Sequence, residues 1–418
     1  MIPYEEALKI ITSKAGAPKL QRVPLMQALG KIAAEYVTSP IQVPSFRNSA
    51  MDGFAVCALQ LASASEQSPV TLKIQAAIAA GDIASIGQAG TAAQIMTGAF
   101  LPEPYDAIVP VELVSINGDT VTFTRPVRTG DHVRRPGEDV TKGQSVLRRG
   151  EAITPETIML LSSLGIMEVA TNHSPKLYIL STGNEITDDY AAPLQGAQIY
   201  NSNAPYLLTA AKQQGLEAQY EGIVRDDPAL FEGKIAAIKE PAIIISTGAV
   251  SKGVWDFIPE SLKNMGATIH FHRVNIRPGK PVLFASLPNG SFYFGLPGNP
   301  ISAAIGFTFF VMPLVRALQG LPDAPPLMAT LENSFTKKGD FRQFLKATVW
   351  IDETGCLKAR ISDGQESFKI SPMAANNAWV VLEEGKTAAK AGDRVPVVLY
   401  AAIKTTDSSK DKTLCQAA

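Results

Sequence analysis

Short apolar runs alternate with longer mixed stretches through the middle of the chain, from about residue 175 to residue 320. The apolar runs have the length of strands, and the stretches between them have the length of helices. In chain order, the predicted elements are a strand at 177–180, a helix at 204–214, a strand at 218–224, a helix at 228–238, a strand at 242–245, a helix at 259–265, strands at 268–274, 282–285 and 291–294, and a helix at 301–318. This alternation predicts βαβ units and a mostly parallel sheet, which binds ligands beyond the carboxyl ends of its strands.

The flanking regions carry shorter apolar runs interrupted by Gly and Pro, which predict β-rich domains. Before the central segment we expect a helix at 4–15, a second element at 25–35, strands at 70–78, 107–114 and 120–123, and a helix at 151–164. That last helix has Thr154 as its cap, Pro155 in its first turn and Gly165 as its stop. After the central segment we expect strands at 345–351, 357–361, 380–382 and 395–399, and a disordered polar tail at 404–418. The predicted fold class is a multidomain α/β plus β protein.

The composition describes a globular protein and argues against two classes of partner. Hydrophobic residues make up 46% of the 418 positions, and the formal net charge is −1, whereas binding nucleic acid requires a strongly basic face. Three widely separated cysteines suggest neither a disulfide framework nor a thiolate metal site. No secretory signal is visible, and the most apolar segment, 301–315, is shorter than the roughly 20 residues that a bilayer demands. We expect a cytoplasmic protein that binds neither nucleic acid nor a membrane.

Two loops that follow predicted strands share a pattern of small residues, at 181–185 (STGNE) and at 246–251 (STGAVS). Small residues allow backbone N–H groups to approach an anion, and the N-terminus of a following helix favours negative charge. Glu185 and Asp256 lie in or just after these loops, and a carboxylate pair there suits a hard cation such as Mg²⁺. The alternative is that both loops are ordinary turns.

A cationic segment, RVNIRPGKP at 273–281, ends another predicted strand. In extended chain Arg273, Asn275 and Arg277 share one face, and together with Lys280 they would attract an oxyanion. The alternative is a solvated edge strand whose charges prevent aggregation. The spacing does not match a nucleotide P-loop.

A stiff turn, GLPGNPIS at 295–302, joins a strand to the apolar helix. Pro297 and Pro300 restrict its backbone, and Ser302 can donate a hydroxyl to an anion. A turn that only precedes a core helix is the alternative. His270 and His272 stand at strand spacing, but the four histidines form no obvious metal set.

These segments together resemble the molybdopterin molybdenumtransferase family, which includes bacterial MoeA, the plant insertase domain and the C-terminal domain of gephyrin. The matching segments are NSAMDGFAV (48–56), IMTGAFLPEPYDAIVPVE (95–112), RRPGED (134–139), STGNEI (181–186), IYNSN (199–203), GIVRDDP (222–228), STGAVSKGVWD (246–256), RPGKP (277–281) and GLPGNPISA (295–303). Each is a weak signal alone, but the ordered set is specific.

The resemblance implies a four-domain homodimer with a central molybdopterin-binding-like α/β domain. The implied limits are 1–43 with 140–173 for a linker domain, 44–139 for a β-rich domain, 174–324 for the α/β domain and 325–403 for a C-terminal β domain. The implied reaction joins molybdate to adenylyl-molybdopterin with Mg²⁺, and forms molybdenum cofactor and AMP. A separate adenylyltransferase would supply the substrate.

The resemblance also assigns residues to roles. The positions matched as catalytic are Asp52, Thr97, Asp139, Glu185, Asp227 and Asp256, of which Glu185 and Asp256 are expected to hold Mg²⁺. The positions matched to the substrate and oxyanion pocket are Ser251, Arg273, Arg277, Lys280, Pro297, Pro300 and Ser302. Weaker matches in the C-terminal domain are Arg342, Ser367, Ser371 and Asn377.

Several positions depart from the family pattern. Arg273 and Arg277 stand where many relatives carry Lys, and arginine binds oxyanions through a fork rather than a point charge. Ala249 replaces a loop glycine, and Phe100 replaces a common Pro. Two other functions remain open, a molybdopterin adenylyltransferase and a non-catalytic scaffold on the same fold. The preference for molybdate or tungstate is also open.

Overall fold

The computed structural model describes residues 1–82, 86–248, 257–322 and 325–404. The chain forms two compact units, of which the first combines Met1–Gln21 with Asn172–Ala418 and the second is Arg22–Thr171. The helix Tyr4–Ser13, predicted at 4–15, belongs to the first unit. The four-domain limits stay a prediction. Of the tail predicted to be disordered, only Lys404 is described.

The centre of the first unit is a six-stranded sheet. Its strands, in spatial order, are Ala218–Val224, Leu177–Thr182, Ile243–Thr247, Phe292–Leu296, Leu283–Ser286 and Thr268–His272. The first four strands run parallel, and the last two pair antiparallel at one edge. The prediction of a mostly parallel sheet is confirmed. The strand predicted at 268–274 ends at His272.

Helices cover both faces of this sheet, because successive side chains of a strand point in opposite directions. Leu177 and Ile179 pack in one core with Leu207 and Ile305. The alternate residues Tyr178 and Leu180 face a second core on the other side. The helices are Asn203–Gln213, Pro228–Ala237, Ile258–Asn264 and the long helix Pro300–Leu318. Continuous apolar strands are what a sheet covered on both faces requires.

The helix Pro300–Leu318 is apolar enough and, at 19 residues, long enough to be compared with a membrane span. Of its 18-residue apolar stretch, 67% is buried, and the helix contains a π-helical turn at Phe307–Val311. The helix Tyr4–Ser13 packs on it, with the Tyr4 ring edge-on to Phe310 at 5.5 Å. Its packing is therefore that of a core helix.

A closed β barrel follows in the same unit. Its strands are Leu327–Leu331, Arg342–Ile351, Leu357–Ile361, Ala378–Leu382 and Arg394–Leu399. The longest, Arg342–Ile351, pairs with two neighbours and so closes the ring. The short strand Ile276–Arg277 adds to its start. Four of the five barrel strands were predicted, and Leu327–Leu331 was missed. The smaller elements of this unit are Ile186–Thr187, Ile199–Tyr200, Phe335–Thr336, the helix Ser371–Ala375 and Ala388–Ala389.

The second unit is built on another six-stranded sheet. In spatial order its strands are Ala107–Pro110, Gly53–Val56, Thr91–Ile95, Val70–Ile78, Thr120–Phe123 and Val114–Asn117. The strand predicted at 107–114 is wrong as one element, because a helical turn at Val111–Leu113 divides it. The element predicted at 25–35 is only the single turn Leu25–Gln27. The remaining short strands are Leu20–Pro24, Val37–Thr38, Asn48–Ser49, Val133–Arg134, Ser145–Leu147 and Glu168–Asn172.

The helix Pro155–Ser163 is shorter than the predicted range of 151–164, but its predicted cap, Thr154, is confirmed. The Thr154 side chain accepts a hydrogen bond from the Thr157 amide at 3.3 Å, and Pro155 occupies the first turn. Gly165 has a φ of +73° just after the helix, as expected for a C-terminal stop.

Candidate functional site

Three loops meet at the carboxyl edge of the parallel strands. Thr182 Oγ1 donates to the Thr247 carbonyl at 3.1 Å, and the Gly248 amide donates to the Leu296 carbonyl at 3.0 Å. Gly248 has a φ of +98°, and a Cβ there would lie 2.3 Å from the Thr182 carbonyl oxygen. Only glycine suits that backbone. The loops that the sequence singled out at 181–185, 246–251 and 295–302 therefore begin side by side.

Glu185 has an acidic neighbour that the sequence analysis missed. Burial raises the pKa of the Asp226 carboxyl, and the charge of Glu185 raises it further. Asn184 Nδ2 donates to Asp226 Oδ2 at 2.9 Å. The structure thus brings Glu185 and Asp226 together, and their carboxylate oxygens are the type of donor that Mg²⁺ prefers.

Asp227, which the sequence placed in the catalytic set, caps a helix. Its carboxylate accepts hydrogen bonds from the amides of Ala229 at 2.9 Å and Leu230 at 3.2 Å, at the start of Pro228–Ala237. The sequence carried a signal for this, because an Asp directly before a Pro at the first helical position is a preferred N-cap. Once Asp227 is recognised as the helix cap, Asp226 is the acidic residue of this segment that remains available to the site.

Two asparagines of the IYNSN segment form hydrogen bonds that hold the loops of the site in place. The Asn201 side-chain amide lies 3.0 Å from Ser181 Oγ and 2.8 Å from Asp188 Oδ1. Asn203 Nδ2 donates to the Gly298 carbonyl at 2.8 Å. The Asn201 contacts connect the 181–185 loop to the chain after the strand Ile199–Tyr200. The Asn203 contact connects the 295–302 turn to the helix Asn203–Gln213. Neither asparagine was among the residues predicted for the site.

Burial alternates from Val274 to Arg277, but Arg273 is not in the extended chain that the prediction of one shared face assumed. Val274 and Ile276 are buried in the core, whereas Arg277 is exposed. Arg273 has a φ of +95°, and its Nε is buried without a hydrogen-bond partner among the described residues. Lys280 is exposed at the end of the same segment. The Arg277 guanidinium lies 5.7 Å from the centre of the Phe341 ring.

A cleft of about 500 Å³ lies between this segment and the barrel. Arg277 and Pro278 line one side, and Lys338, Gln343 and Ser367 line the other. Its remaining lining residues are Asn333, Ser334, Phe335, Thr336, Ile361, Ser362, Asp363, Gly364, Gln365 and Glu366. Two cations, Arg277 and Lys338, line this cleft together with several hydroxyls and two carboxylates, Asp363 and Glu366, so the part beside the cations is the part suited to an oxyanion.

The start of the long helix is hydrogen-bonded to a residue that lines this cleft. The Ile301 amide donates to the Ser367 carbonyl at 3.4 Å. Ser302 is 3% exposed, and a Cβ on Gly279 would lie 3.5 Å from its carbonyl oxygen, so Ser302 lies beneath the cationic loop. Pro297 is buried in the turn, and Pro300 is the first residue of the helix.

The weaker C-terminal candidates divide into one cleft residue and three residues placed elsewhere. Ser367 lines the cleft, whereas Arg342 forms ion pairs with Glu5 and Glu384. Asn377 Oδ1 accepts a hydrogen bond from the Val349 amide at 2.7 Å, and Asn377 Nδ2 donates to the Val349 carbonyl at 2.8 Å. Ser371 begins the short helix Ser371–Ala375. The ion pairs and hydrogen bonds of Arg342 and Asn377 support the barrel structure.

Two candidates of the second unit are in contact with each other. Asp52 Oδ1 accepts hydrogen bonds from the Thr97 amide at 2.6 Å and from Thr97 Oγ1 at 2.8 Å. The hydrogen bond from the Thr97 amide is the main reason that the pKa of the Asp52 carboxyl is lowered. Asp139 is exposed in a turn, where its amide donates to the Val43 carbonyl at 3.0 Å.

Ser251 and Asp256, and also Ala249, lie outside the described residues. Within the described part of the chain, no group of three or more His, Cys, Asp or Glu residues is arranged to hold a metal ion. His270 Nε2 lies 2.8 Å from Ser286 Oγ, and burial lowers its pKa. A second cavity of about 530 Å³ lies at the amino ends of the strands near Ile243 and Phe292, and none of the predicted site residues lines it.

A parallel sheet with polar loops at its carboxyl edge, joined to a barrel by a polar cleft with Arg277 on its rim, is typical of α/β proteins that bind anionic ligands. Family models match three consecutive regions: the MoeA N-terminal region (domains I and II) at residues 2–165, a probable molybdopterin binding domain at 178–317, and the MoeA C-terminal region (domain IV) at 328–400.

Full-length relatives agree with these matches. The molybdopterin molybdenumtransferase of Haemophilus influenzae is 36% identical over 89% of this chain and 92% of its own length. That of Bacillus subtilis is 33% identical over 95% and 94%. A crystal structure of the molybdopterin biosynthesis moeA protein of Pyrococcus horikoshii has a TM-score of 0.77 and 27% identity, and covers 96% of this chain and 100% of that one. This chain belongs to the MoeA family of molybdopterin molybdenumtransferases.

Proposed function

We propose that this protein is a molybdenum insertase, which transfers molybdate into adenylyl-molybdopterin and releases AMP and molybdenum cofactor. The observation that carries the proposal is that the 295–302 turn contacts both sides: a Cβ on Gly298 would lie 3.7 Å from Gly248 Cα, and the Ile301 amide donates to the Ser367 carbonyl at 3.4 Å. These parts offer separate positions for a phosphoryl group and for an oxyanion.

The cleft supports the oxyanion half of the reaction. Molybdate is a tetrahedral dianion, so it requires cations and hydroxyl donors rather than a nucleophile. Arg277 and Lys338 supply positive charge, and Ser367 supplies a neutral donor in the same lining. Ser302, which the resemblance assigns to the oxyanion pocket, is 3% exposed beneath the cationic segment. The dithiolene of the pterin supplies the soft sulfur ligands that capture molybdenum.

The carboxylates support the adenylate half. We infer that Glu185 and Asp226 would hold Mg²⁺ together with Asp256, which the sequence predicts as a ligand. When bound, Mg²⁺ would neutralise negative charge on the linkage between AMP and the molybdopterin phosphate, the bond whose cleavage releases AMP. Asn184 would orient Asp226 through its 2.9 Å hydrogen bond. Arg273, Lys280 and Ser251 would complete the substrate pocket, and Pro297 and Pro300 would keep its turn rigid.

The remaining parts of the proposal follow the family resemblance. Asp52, Thr97 and Asp139 act in the same reaction, and the hydrogen bonds between Asp52 and Thr97 hold the Asp52 carboxylate ionised. The protein works as a homodimer in the cytoplasm, and it receives its substrate from an adenylyltransferase.

Incubating the purified protein with adenylyl-molybdopterin, molybdate and Mg²⁺ tests this function. The proposal expects AMP release together with cofactor that activates a molybdenum-free apoenzyme. Consumption of ATP with molybdopterin would instead identify an adenylyltransferase. If neither reaction occurs, the fold serves as a scaffold.

A further inference from the structure

The chain between Glu185 and Asn201 forms a flap beside the candidate site. Its two short strands, Ile186–Thr187 and Ile199–Tyr200, pair in parallel. The Ile199 amide donates to the Glu185 carbonyl at 2.8 Å, so the flap is attached at the proposed Mg²⁺ ligand itself. Whatever binds to the flap is therefore held close to Glu185.

Two tyrosine rings of this flap are stacked on each other and fixed. The Tyr190 and Tyr200 rings have centroids 5.9 Å apart and planes inclined at 27°. Tyr190 Oη donates to the Asn201 carbonyl at 2.7 Å, and Tyr200 Oη donates to the Ala192 carbonyl at 2.7 Å. Because both hydroxyls are tethered, the rings cannot turn freely.

The rings are nevertheless exposed to solvent. Tyr190 is 56% exposed and Tyr200 is 38% exposed, and Leu194 and Ile199 beside them are 45% and 52% exposed. Grouped apolar residues on a surface mark a binding site more often than scattered ones do. Rigid aromatic rings bind flat partners at low entropic cost, since little motion remains to be lost.

We propose that Tyr190 and Tyr200 form a stacking platform for a fused heteroaromatic ring of the substrate. Adenylyl-molybdopterin carries two such rings, the pterin and the adenine, and both have the flat π-face that stacking requires. The platform rests on the proposed function, because that function defines the substrate. Its position next to Glu185 places a bound ring within reach of the phosphoryl site.

The test compares ring-deleting with ring-preserving variants. Tyr190→Leu and Tyr200→Leu remove one aromatic face each, and Tyr190→Phe keeps the ring but removes its tether. Tyr36→Leu is the matched control, since Tyr36 is 68% exposed and lies in the other unit. AMP and 6-carboxypterin are titrated separately by calorimetry, so that the two arms distinguish the adenine from the pterin.

The platform predicts that the Leu variants bind one of the two ligands roughly 10-fold more weakly. Tyr190→Phe should show a smaller loss, and Tyr36→Leu none. The platform would be overturned if wild type binds neither ligand, or if the Leu variants bind both as wild type does. A change of oligomeric state with unchanged affinities would also overturn it and would assign the rings to a protein interface. Cofactor formation by wild type tests the proposed function separately.

Discussion

At the scale of residues, two adjacent aspartates have different roles. Asp227 accepts two amide hydrogen bonds at a helix start, whereas Asp226 faces Glu185 and Asn184. The sequence resemblance favoured Asp227, because a motif gives position but not side-chain direction. Only the packing of the loop on the helix shows which carboxylate faces the site.

Exchanging each aspartate should separate stability from activity. Asp227→Ala removes the N-cap and should lower the free energy of unfolding by about 1 kcal/mol. Asp226→Asn keeps the shape and relieves the repulsion from Glu185, so it should raise stability slightly at neutral pH while AMP release falls. Thermal unfolding and turnover are measured on both. Equal activity in Asp226→Asn and wild type would remove Asp226 from the site.

The Asp52 carboxylate predicts a dependence of stability on pH. Its folded pKa is lowered below 3.8 by the Thr97 hydrogen bonds. A lowered pKa gives stability that is present above the unfolded pKa and is lost as pH falls through the folded pKa. Asp52→Asn should therefore melt below wild type at neutral pH, and the difference should shrink below about pH 4. A difference that persists unchanged in acid would contradict this assignment.

At the scale of elements, the sequence predicts helix boundaries best where a capping residue or a proline marks them. The helices Pro155–Ser163 and Pro228–Ala237 each follow a capping residue and begin with Pro. The start at Pro228 was predicted, and the Thr154 cap was predicted although the predicted range opened at residue 151. The pairing of Ile276–Arg277 with the barrel strand Arg342–Ile351 has no local signal, because it joins distant parts of the chain. The cleft that depends on this pairing, and the position of Ser367 in it, could not be predicted.

One buried lysine holds the loop that carries Ser367. Lys346 is fully buried, and its Nζ donates to the carbonyls of Glu366 at 3.1 Å and Lys369 at 3.2 Å. Burial lowers its pKa. Lys346→Met should cost about 1–3 kcal/mol of stability, since two carbonyls lose their partner, and it should raise the KM for molybdate more than it lowers kcat.

Steady-state kinetics and chemical unfolding measure both effects. Lys390→Met, at an exposed position after the short strand Ala388–Ala389, is the control and should change neither quantity. An unchanged KM for molybdate in a folded Lys346→Met protein would show that this loop does not serve the oxyanion cleft.

At the scale of the whole molecule, the ordered family segments identify the protein more specifically than any single site does. Polar loops on a parallel sheet are common to many proteins that handle phosphate. The structure adds the cleft between the cationic segment and the barrel, which Arg277 lines. A guanidinium carries a charge and a fork of donors for an oxyanion.

The most direct test of this account measures AMP release against molybdate concentration in wild type and in Arg277→Ala. The account predicts release that depends on molybdate and saturates with it. In Arg277→Ala the KM for molybdate should rise by roughly 10-fold or more, as expected for loss of a charge-assisted contact worth about 1.5–3 kcal/mol. The dependence on adenylyl-molybdopterin should stay near that of wild type. AMP release that is independent of molybdate, or an unchanged KM in Arg277→Ala, would contradict it.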